Sequence, residues 1–203
     1  MRVNGIVAIQ KRKFRVTTNS KHDHPVWPNV LNRNFVVEKP NAVWVSDITY
    51  VWTFEGWLYV ATVLDLFSRG IVGLAMDKTI ADTLTIQAMR QAILRRSPTK
   101  GLICHSDRGS QYAGNDFKAV LARNEFVGSM SRKGNCWDNA VAESFFHTIK
   151  VELIHRMRFA TRDQAARMIF EYVMMYYNCK RTHSTLGYLS PLQYEKKHAV
   201  CLN

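Results

Sequence analysis

Three acidic residues stand out because of the segments in which they occur. Asp47 lies inside the strongly apolar run VWVSDITYVW, Asp107 directly follows the short apolar run GLICHS, and Glu143 lies in the amphipathic segment DNAVAESFFHTIK. Carboxylate oxygens are the ligands that Mg²⁺ prefers, and two such ions about 4 Å apart can stabilise the attacking and leaving oxygens of a phosphodiester. If the fold brings the three acids together, they predict metal-dependent phosphoryl transfer.

Each acid also has an ordinary structural explanation. Asp47 could face solvent on an edge strand, Asp107 is a good turn or cap residue after a strand, and Glu143 could belong to a solvated helix face. Taken one at a time, these explanations are favoured. The catalytic hypothesis therefore depends on where the surrounding strands and helices place the three side chains.

The segment around Glu143 has the periodicity of a long helix that begins near Asp138, a plausible N-cap. One face of this helix is apolar and consists of Ala142, Phe146, Ile149 and Leu153. The adjacent face carries an amide, an acid, an imidazole and an amine, namely Asn139, Glu143, His147 and Lys150. A solvated face is the usual interpretation of a polar stripe, but this mixture of chemical groups favours a functional one.

The remaining elements predict a mixed sheet. Three β-branched or aromatic runs joined by tight connections indicate an antiparallel meander, and βα units follow. Strands are expected at about 43–52, 56–68, 70–77, 101–104 and 126–130, and helices at about 81–96, 114–124, 138 onward, 162–178 and after Pro191. In the first helix, Ile86, Met89, Ile93 and Leu94 have helical spacing. The pattern predicts an α/β fold with a five-stranded mixed sheet and helices on both faces. Asp65 is expected to be a turn residue.

The charge distribution indicates a polyanionic partner. The 203 residues carry a formal net charge of +12 and a pI of about 9.8. Residues 1–40 hold eight Lys/Arg against two acids, residues 41–150 twelve against ten, and residues 151–203 eight against four. A nearly neutral middle flanked by basic segments is typical of a catalytic body with polyanion-binding arms, although a solvated basic surface is the simpler alternative.

The cysteines and the hydropathy exclude several classes of protein. Cysteines occur at 104, 136, 179 and 201 without a C-x-x-C pair or zinc-finger spacing to histidine, so a structural zinc site is not expected. Isolated cysteines are typical of a reducing, intracellular setting. No signal peptide and no run of about 20 apolar residues is present, so no membrane partner is expected.

Four blocks of sequence resemble a known family, the second-frame (OrfB-type) transposases of the insertion-sequence-three family, whose core is similar to retroviral integrases and RNase H. The blocks are NRNFVVEKPNAVWVSDITYV, HSDRGSQYA, SRKGNCWDNAVAESFFHTIKVEL and YNCKRTHSTLGYLSPLQYE, and they occur in order over roughly residues 10 to 197. The resemblance implies an RNase H-like fold and a DNA transposase that cuts and joins strands at element ends.

The resemblance also implies specific residue roles. It assigns a catalytic, metal-binding Asp-Asp-Glu triad to Asp47, Asp107 and Glu143, with the expected 35 residues between the second and third acid. It implies two Mg²⁺ ions, replaceable by Mn²⁺, and a phosphate-binding basic residue at Lys150. Asn139 and His105 are expected to orient ligands. Further DNA contacts are predicted for the basic clusters, at Lys11, Arg12, Lys13, Arg15 and Arg181.

The expected organisation is a basic arm or linker at 1–37, a catalytic core at 38–158, and a C-terminal helical extension packed on the core at 159–203. Met1 falls inside what resembles the family's linker, so we expect a shortened copy that depends on a first-frame protein for its helix-turn-helix. The partners implied are DNA and further copies of the chain, in the cytoplasm of a bacterium and associated with the nucleoid. Two alternatives stay open: an RNase H-like structure-specific nuclease without strand joining, and a non-catalytic DNA-binding protein.

Overall fold

The computed structural model describes residues 24–199, and its centre is a five-stranded sheet. The first three strands are β1 (Val43–Thr53), β2 (Gly56–Asp65) and β3 (Ile71–Asp77). They pair antiparallel through two short connections, as the β-branched and aromatic runs predict. The long hairpin of β1 and β2 keeps its register from Trp44↔Asp65 to Thr53↔Gly56.

The other two strands, β4 (Ile103–Ser106) and β5 (Val127–Met130), are short and add in parallel beside β1. The resulting order is β3-β2-β1-β4-β5. Asp47 therefore lies on the central strand, and the alternative that it faces solvent from an edge strand is wrong. Side chains alternate between the two faces of a strand, so Asp47 lies on the same face of the sheet as Val45, just beyond the point where the pairing with β4 stops.

Helices cover both faces of the sheet, as predicted. On one face lie α1 (Asp82–Arg96), α2 (Ser110–Ala113) and α3 (Asn115–Arg123), packed around the buried ring of Trp44. The contact is close: a Cβ on Gly73 of β3 would lie 2.2 Å from the carbonyl oxygen of Ala88 on α1. Leu94 lies in α1, as its helical spacing predicts, but its side chain is 83% exposed.

The opposite face carries α4 (Ala140–Glu152) and α5 (Arg162–Glu171), with α6 (Pro191–Ala199) near the chain end. Phe145, Phe146 and Ile149 of α4 and Ala165 and Ile169 of α5 belong to the second buried cluster. Three other elements are irregular, with π-helical or 3₁₀ geometry: 172–177, 154–156 and 184–186. In residues 24–199 no helix is long and apolar enough to cross a membrane.

The start of α4 differs from the sequence prediction. A 3₁₀ turn, Cys136–Asn139, precedes the helix, and Asp138 does not act as its N-cap. Its carboxyl is instead fully buried and accepts hydrogen bonds from Arg132 (Nη2 at 2.7 Å), Arg33 (Nε at 2.8 Å) and Asn29 (Nδ2 at 2.9 Å). The prediction was wrong because residue type indicated a local cap, whereas two of the partners are more than 100 residues away in sequence.

Asp138 thus joins three parts of the chain: the segment that contains Asn29 and Arg33, the loop that contains Arg132, and the start of α4. The hydrogen bond from the Arg132 side chain is the main reason why the pKa of Asp138 is held well below its usual range; the Arg33 side chain adds to this effect. Hydrogen bonds between charged groups are about twice as strong as neutral ones. The loop from Ser131 to Asn139 is therefore fixed by a buried carboxylate rather than by regular secondary structure.

We expect Asp138→Asn to destabilise the protein by about 1.5–3 kcal/mol, because the buried acceptor loses its charge while the donors stay in place. The loss of stability should be present at neutral pH. It should shrink as the pH falls below the ordinary carboxyl pKa, because the lowered pKa means that only the ionised carboxylate contributes this stability. Chemical denaturation across a pH series measures both. Asp163→Asn, whose ion pair with Arg167 is 75% exposed on both sides, is the control and should change stability by less than about 0.5 kcal/mol. Equal effects of the two substitutions would contradict the assignment.

Candidate active site

The register of the two central strands brings two of the predicted acids together. Parallel pairing of β1 with β4 runs from Val43↔Ile103 to Ser46↔Ser106. Asp47 and Asp107 are the next residues on the two strands. β4 ends there, so Asp107 turns out of the sheet, and its Oδ1 accepts the backbone N–H of Gly109 at 2.9 Å. Both carboxyls therefore lie at the same edge, at the mouth of a cleft.

Helix α4 supplies the third acid from the opposite wall of this cleft. Its polar face, identified from the sequence as Asn139, Glu143, His147 and Lys150, lines the cleft in full. The cleft has a volume of about 580 Å³, and its floor includes Asp47 and Asp107. The strand, the strand end and the helix thus place all three predicted acids around one open space.

The electrostatics show that these acids interact. Burial raises the pKa of Asp47 well above its usual value of 3.8, and repulsion from Asp107 raises it further; the backbone N–H of Ile48 opposes the shift. Partial burial and then repulsion from Asp107 raise the pKa of Glu143. Without a cation the ionised acids destabilise one another, which is the arrangement expected of a site that binds positive charge.

Lys150 occupies the edge of the same cleft, two helical turns from Glu143. Its ammonium lies 5.5 Å from the centre of the Tyr50 ring, in cation–π geometry. Burial lowers the pKa of Lys150, and attraction to Asp47 partly offsets that effect. The side chain is held above the acids and can reach an anion that enters the cleft.

The donor set fits a hard divalent cation. Besides the carboxylates, the side-chain oxygens of Asn135 and Asn139 line the cleft region, and each is buried without a hydrogen-bond partner among the described residues. Oxygen donors of this kind suit Mg²⁺ rather than zinc. Within residues 24–199 no three His, Cys, Asp or Glu side chains already have the spacing of a metal cage. The acids frame an open site, as is usual when substrate phosphates complete the coordination of Mg²⁺.

His105 lies in β4, two residues before Asp107. Its ring is fully buried in β4, with Nδ1 2.9 Å from the hydroxyl oxygen of Ser129 and Nε2 3.2 Å from that of Ser131. Burial lowers the pKa of His105 to about 4, so the imidazole is neutral at physiological pH. The ring does not line the cleft. Its hydrogen bonds hold β4 against β5 and against the loop that begins at Ser131.

The sequence did not identify several residues of the cleft. Arg108, Arg132 and Lys133 line it and add positive charge beside the acids, and Tyr50 forms part of its wall. The Arg132-Lys133-Gly134 loop was visible only as a basic turn before a helix. Tyr50 was visible only as a residue typical of a strand. Neither pattern indicates the direction in which a side chain points.

Two of the other sequence predictions fall outside this cleft. Arg181 lies beside α4, where its guanidinium pairs with Glu152 at 2.8 Å and lines a separate cleft with Arg69 and His183. The basic residues Lys11, Arg12, Lys13 and Arg15 lie outside the described part of the chain. Their assignment to DNA binding, and that of Arg181, stays a prediction. Asp65 is a turn residue, as expected: its Oδ1 accepts the N–H of Phe67, and burial raises the pKa of Asp65 to about 6.

The fold is similar to that of two solved viral proteins. The fold matches a chain of the simian T-cell lymphotropic virus intasome, solved with the regulatory subunit B56 gamma of PP2A, with a TM-score of 0.66 and 15% identity over 88% of this chain and 60% of that one. It also matches the HTLV-2 integrase catalytic core domain in complex with magnesium, with a TM-score of 0.59 and 17% identity over 77% of this chain and 97% of that one. These likenesses show an RNase H-like fold.

Sequence comparisons identify the family. Residues 37–136 and 143–198 match two models that are each described as an integrase core domain. The chain is 48% identical over 189 residues to the insertion element IS600 uncharacterized 31 kDa protein of Shigella sonnei, which covers 93% of this chain and 70% of that protein. It is 43% identical over 198 residues to the transposase InsF for insertion sequence IS3A of Escherichia coli, which covers 98% of this chain and 69% of that protein. The chain therefore belongs to the IS3-type transposases, a family of transposases of bacterial insertion sequences that have an integrase core domain.

Proposed function

We propose that this transposase uses Asp47, Asp107 and Glu143 as a catalytic, metal-binding triad for cutting and joining DNA strands at the ends of an insertion element. The observation that carries the proposal is their convergence: the register of β1 with β4 places two acids side by side, and α4 faces them with the third across one cleft. Membership of a transposase family makes strand cutting and joining the reaction to expect.

The metal in this proposal is Mg²⁺, with two ions expected and Mn²⁺ able to replace them. The HTLV-2 integrase core was solved with magnesium, and the carboxylate and amide oxygens that line this cleft suit the same ion. Asp47 and Asp107 would share one site, and Glu143 with one of the two aspartates would hold the other. When bound, the metal would neutralise the charge that develops on the phosphodiester oxygens.

The protein's own residues would contribute position and charge. In the first step water attacks the phosphorus at an element end: a new P–O bond forms, the P–O3′ bond breaks, the water's proton passes to solvent, and the leaving 3′-oxygen takes up a proton, which gives a 5′-phosphate and a 3′-hydroxyl. In the second step that 3′-hydroxyl attacks another phosphodiester, loses its proton to solvent as the new P–O bond forms, and displaces a 3′-oxygen that is protonated to a hydroxyl. Lys150, held over Tyr50, would bind a backbone phosphate beside the reacting one. Arg108 and Lys133 add positive charge to the cleft, which favours entry of the polyanion.

The larger assembly is part of the same proposal. The basic arm, residues 1–37, and the C-terminal extension, residues 159–203, would bind DNA. In sequence they flank a catalytic core at residues 38–158. Several copies would act together, and a first-frame protein with a helix-turn-helix would select the element ends near the bacterial nucleoid. Support comes from the charge of the chain and from the viral relatives, one of which was solved as an intasome and another in a trimeric form.

The first prediction concerns the triad. Asp107→Asn keeps the shape of the side chain but removes a charge, so Mg²⁺- or Mn²⁺-dependent nicking of a terminal-repeat duplex should fall by at least about a hundredfold while DNA binding persists. Asp47→Asn and Glu143→Gln should behave alike. Nicking at the wild-type rate by any of the three variants would remove that acid from the triad.

Two further measurements separate the alternatives in the same experiment. A strand-transfer assay with a precut 3′-hydroxyl end should give joined products with the wild-type chain; cutting without joining would indicate a structure-specific nuclease. Asp163→Asn is the matched control, since its carboxyl is exposed on α5 and pairs only with its helical neighbour Arg167 in the described structure. If neither cutting nor joining occurs with metal present, a non-catalytic DNA-binding protein is the better assignment.

A second prediction concerns stability without metal. Because the pKa of Asp47 is raised on folding, its ionised form destabilises the folded chain, and this penalty appears as the pH rises above the ordinary value of 3.8. Asp47→Asn should therefore unfold at a higher temperature than the wild type at pH 8 without metal, and the difference should vanish near pH 3. Adding Mg²⁺ should stabilise the wild type more than the variant, as thermal unfolding can measure. Asp116→Asn, exposed on α3, should respond to Mg²⁺ as the wild type does; an equal response of Asp47→Asn would contradict a metal at this site.

A third prediction concerns Lys150. Replacing it with alanine should remove one phosphate contact, so the slope of log affinity against log salt should become less steep by about 0.9. Nicking should decrease more than binding, because Lys150 lies beside the acids. Lys100→Ala is the control, since Lys100 pairs with Glu125 on the surface before the start of β4. The measurement is a salt titration with a labelled duplex, and an unchanged slope for Lys150→Ala would contradict the assignment.

A further inference from the structure

A second groove, with a volume of about 490 Å³, lies beside the catalytic cleft and is lined mainly by aromatic side chains. They come from the end of the β1–β2 hairpin, and two of them are largely exposed: Trp52 at 55% and Phe54 at 73%. In this half of β1, buried Val51 and Thr53 alternate with Trp52 on the outer side. The large rings therefore face outward and do not form part of either buried cluster.

The rings are ordered against one another. Trp52 and Trp57 are paired across the hairpin with their centres 4.8 Å apart, and Trp57 and Tyr50 meet edge-on at 5.0 Å. Aromatic rings fixed in this way lose little side-chain entropy when a flat ligand stacks on them. The other side of the groove is formed by the segment after α4, including Met157 and the buried ring of Phe159.

The formally charged side chains that line the groove are cations. Lys150, His155 and Arg158 line it, and no acidic residue of the described chain does. His155 and Arg158 are exposed, and neither has an ion pair among the residues that the structure describes. Aromatic planes interleaved with cations are the arrangement by which proteins bind single-stranded nucleic acid, since bases stack on the rings and phosphates meet the cations.

The groove is continuous with the catalytic cleft. Tyr50 and Lys150 line both spaces. The continuity follows from strand lengths: β1 runs on to Thr53, whereas its pairing with β4 ends at Ser46. From Asp47 to Trp52 the edge of β1 that would face β4 therefore has no strand partner among the described residues, and Thr53 pairs with Phe159 through an isolated bridge. This part of β1 extends from the acids into the aromatic groove.

We infer that this groove binds unpaired nucleotides of the DNA next to the phosphodiester that is cut, with a base stacked on Trp52. The inference rests on the proposed function, because it assigns the strand in the groove to the same substrate. Positive charge and continuity with the cleft favour DNA over an apolar protein segment. Separated strands at this point would let a phosphodiester approach the acids without the complementary strand in the way.

The test uses the full chain in metal-free buffer, where no strand is cut. Three labelled DNAs share one duplex: a blunt end, a short single-stranded extension, and the same extension made of abasic sugar-phosphates, which keeps the charge and removes the bases. The wild type should bind the extension with bases about tenfold tighter than the abasic one, since a stacked base contributes on the order of 1–3 kcal/mol. A 2-aminopurine in the extension should lose fluorescence on binding.

Trp52→Ala should abolish most of this preference and Trp52→Phe should retain most of it. Trp52 is 55% exposed, so neither substitution disturbs the core. Phe170→Ala is the matched control, because Phe170 is 49% exposed on α5 and lines neither space. Equal wild-type affinity for the base-containing and abasic extensions would overturn the inference. So would a loss of self-association in Trp52→Ala, measured by sedimentation, with the base preference unchanged, since the groove would then be an interface between copies.

Nicking of the same duplex with Mg²⁺ separates this inference from the proposed function. A wild-type chain that nicks but shows no preference for bases refutes the groove alone. A chain that prefers bases but neither nicks nor joins refutes the triad and leaves the groove as a single-strand binding site.

Discussion

The parallel register of β1 with β4 is the constraint on which the site depends, because it places two like charges next to one another at the edge of the sheet. Ser46 pairs with Ser106, so the residues that follow them, Asp47 and Asp107, lie beside each other. Burial and then repulsion from Asp107 raise the pKa of Asp47, so its ionised form destabilises the folded chain while no cation is present. A fold that keeps such a pair must obtain its stability elsewhere, and the two buried clusters on either face of the sheet provide it.

The third acid needs a different kind of control, since Glu143 is held by a helix and not by sheet register. The apolar face of α4 fixes the rotation of the helix through Phe145, Phe146 and Ile149. Its start is fixed by Asp138, which receives hydrogen bonds from Arg132 and Arg33. The two acids therefore differ in electrostatic character. Asp138 forms ion pairs with protein cations and has a lowered pKa, whereas Asp47 has no ion pair in the described chain and has a raised pKa. The difference separates the carboxylate that holds the start of α4 from those that the proposed function assigns to a cation.

Local sequence patterns were sufficient for the sheet, for the helices on both faces and for the face of α4 that carries Glu143 and Lys150, because side-chain periodicity is a property of neighbouring residues. They were not sufficient for Asp138, since a cap and a buried ion pair use the same residue type and differ only in partners far away in sequence. They also do not distinguish exposed Leu94 from buried Met89 on α1, because helical spacing alone does not show how far the sheet extends beneath a helix. Tyr50 and Trp52 have the composition of an ordinary strand, and only the early end of β4 leaves them beside open space. Local sequence patterns therefore do not predict features that depend on contacts between residues far apart in sequence or on the relative lengths of neighbouring strands.

The unequal lengths of β1 and β4 connect the acids with the aromatic groove. β4 stops at Ser106, which opens the sheet edge at the two aspartates, and β1 continues to Thr53, which supplies the wall beyond them. Had β4 been as long as β1, the edge of β1 beyond Asp47 would be paired and no strand of DNA could reach the carboxylates from that side. The same short strand that makes the acids accessible also leaves Tyr50, Trp52 and Trp57 next to the exit from the cleft. The access proposed for the phosphodiester and the stacking surface inferred for the nucleotides beside it would thus have one structural cause, and lengthening β4 would remove both.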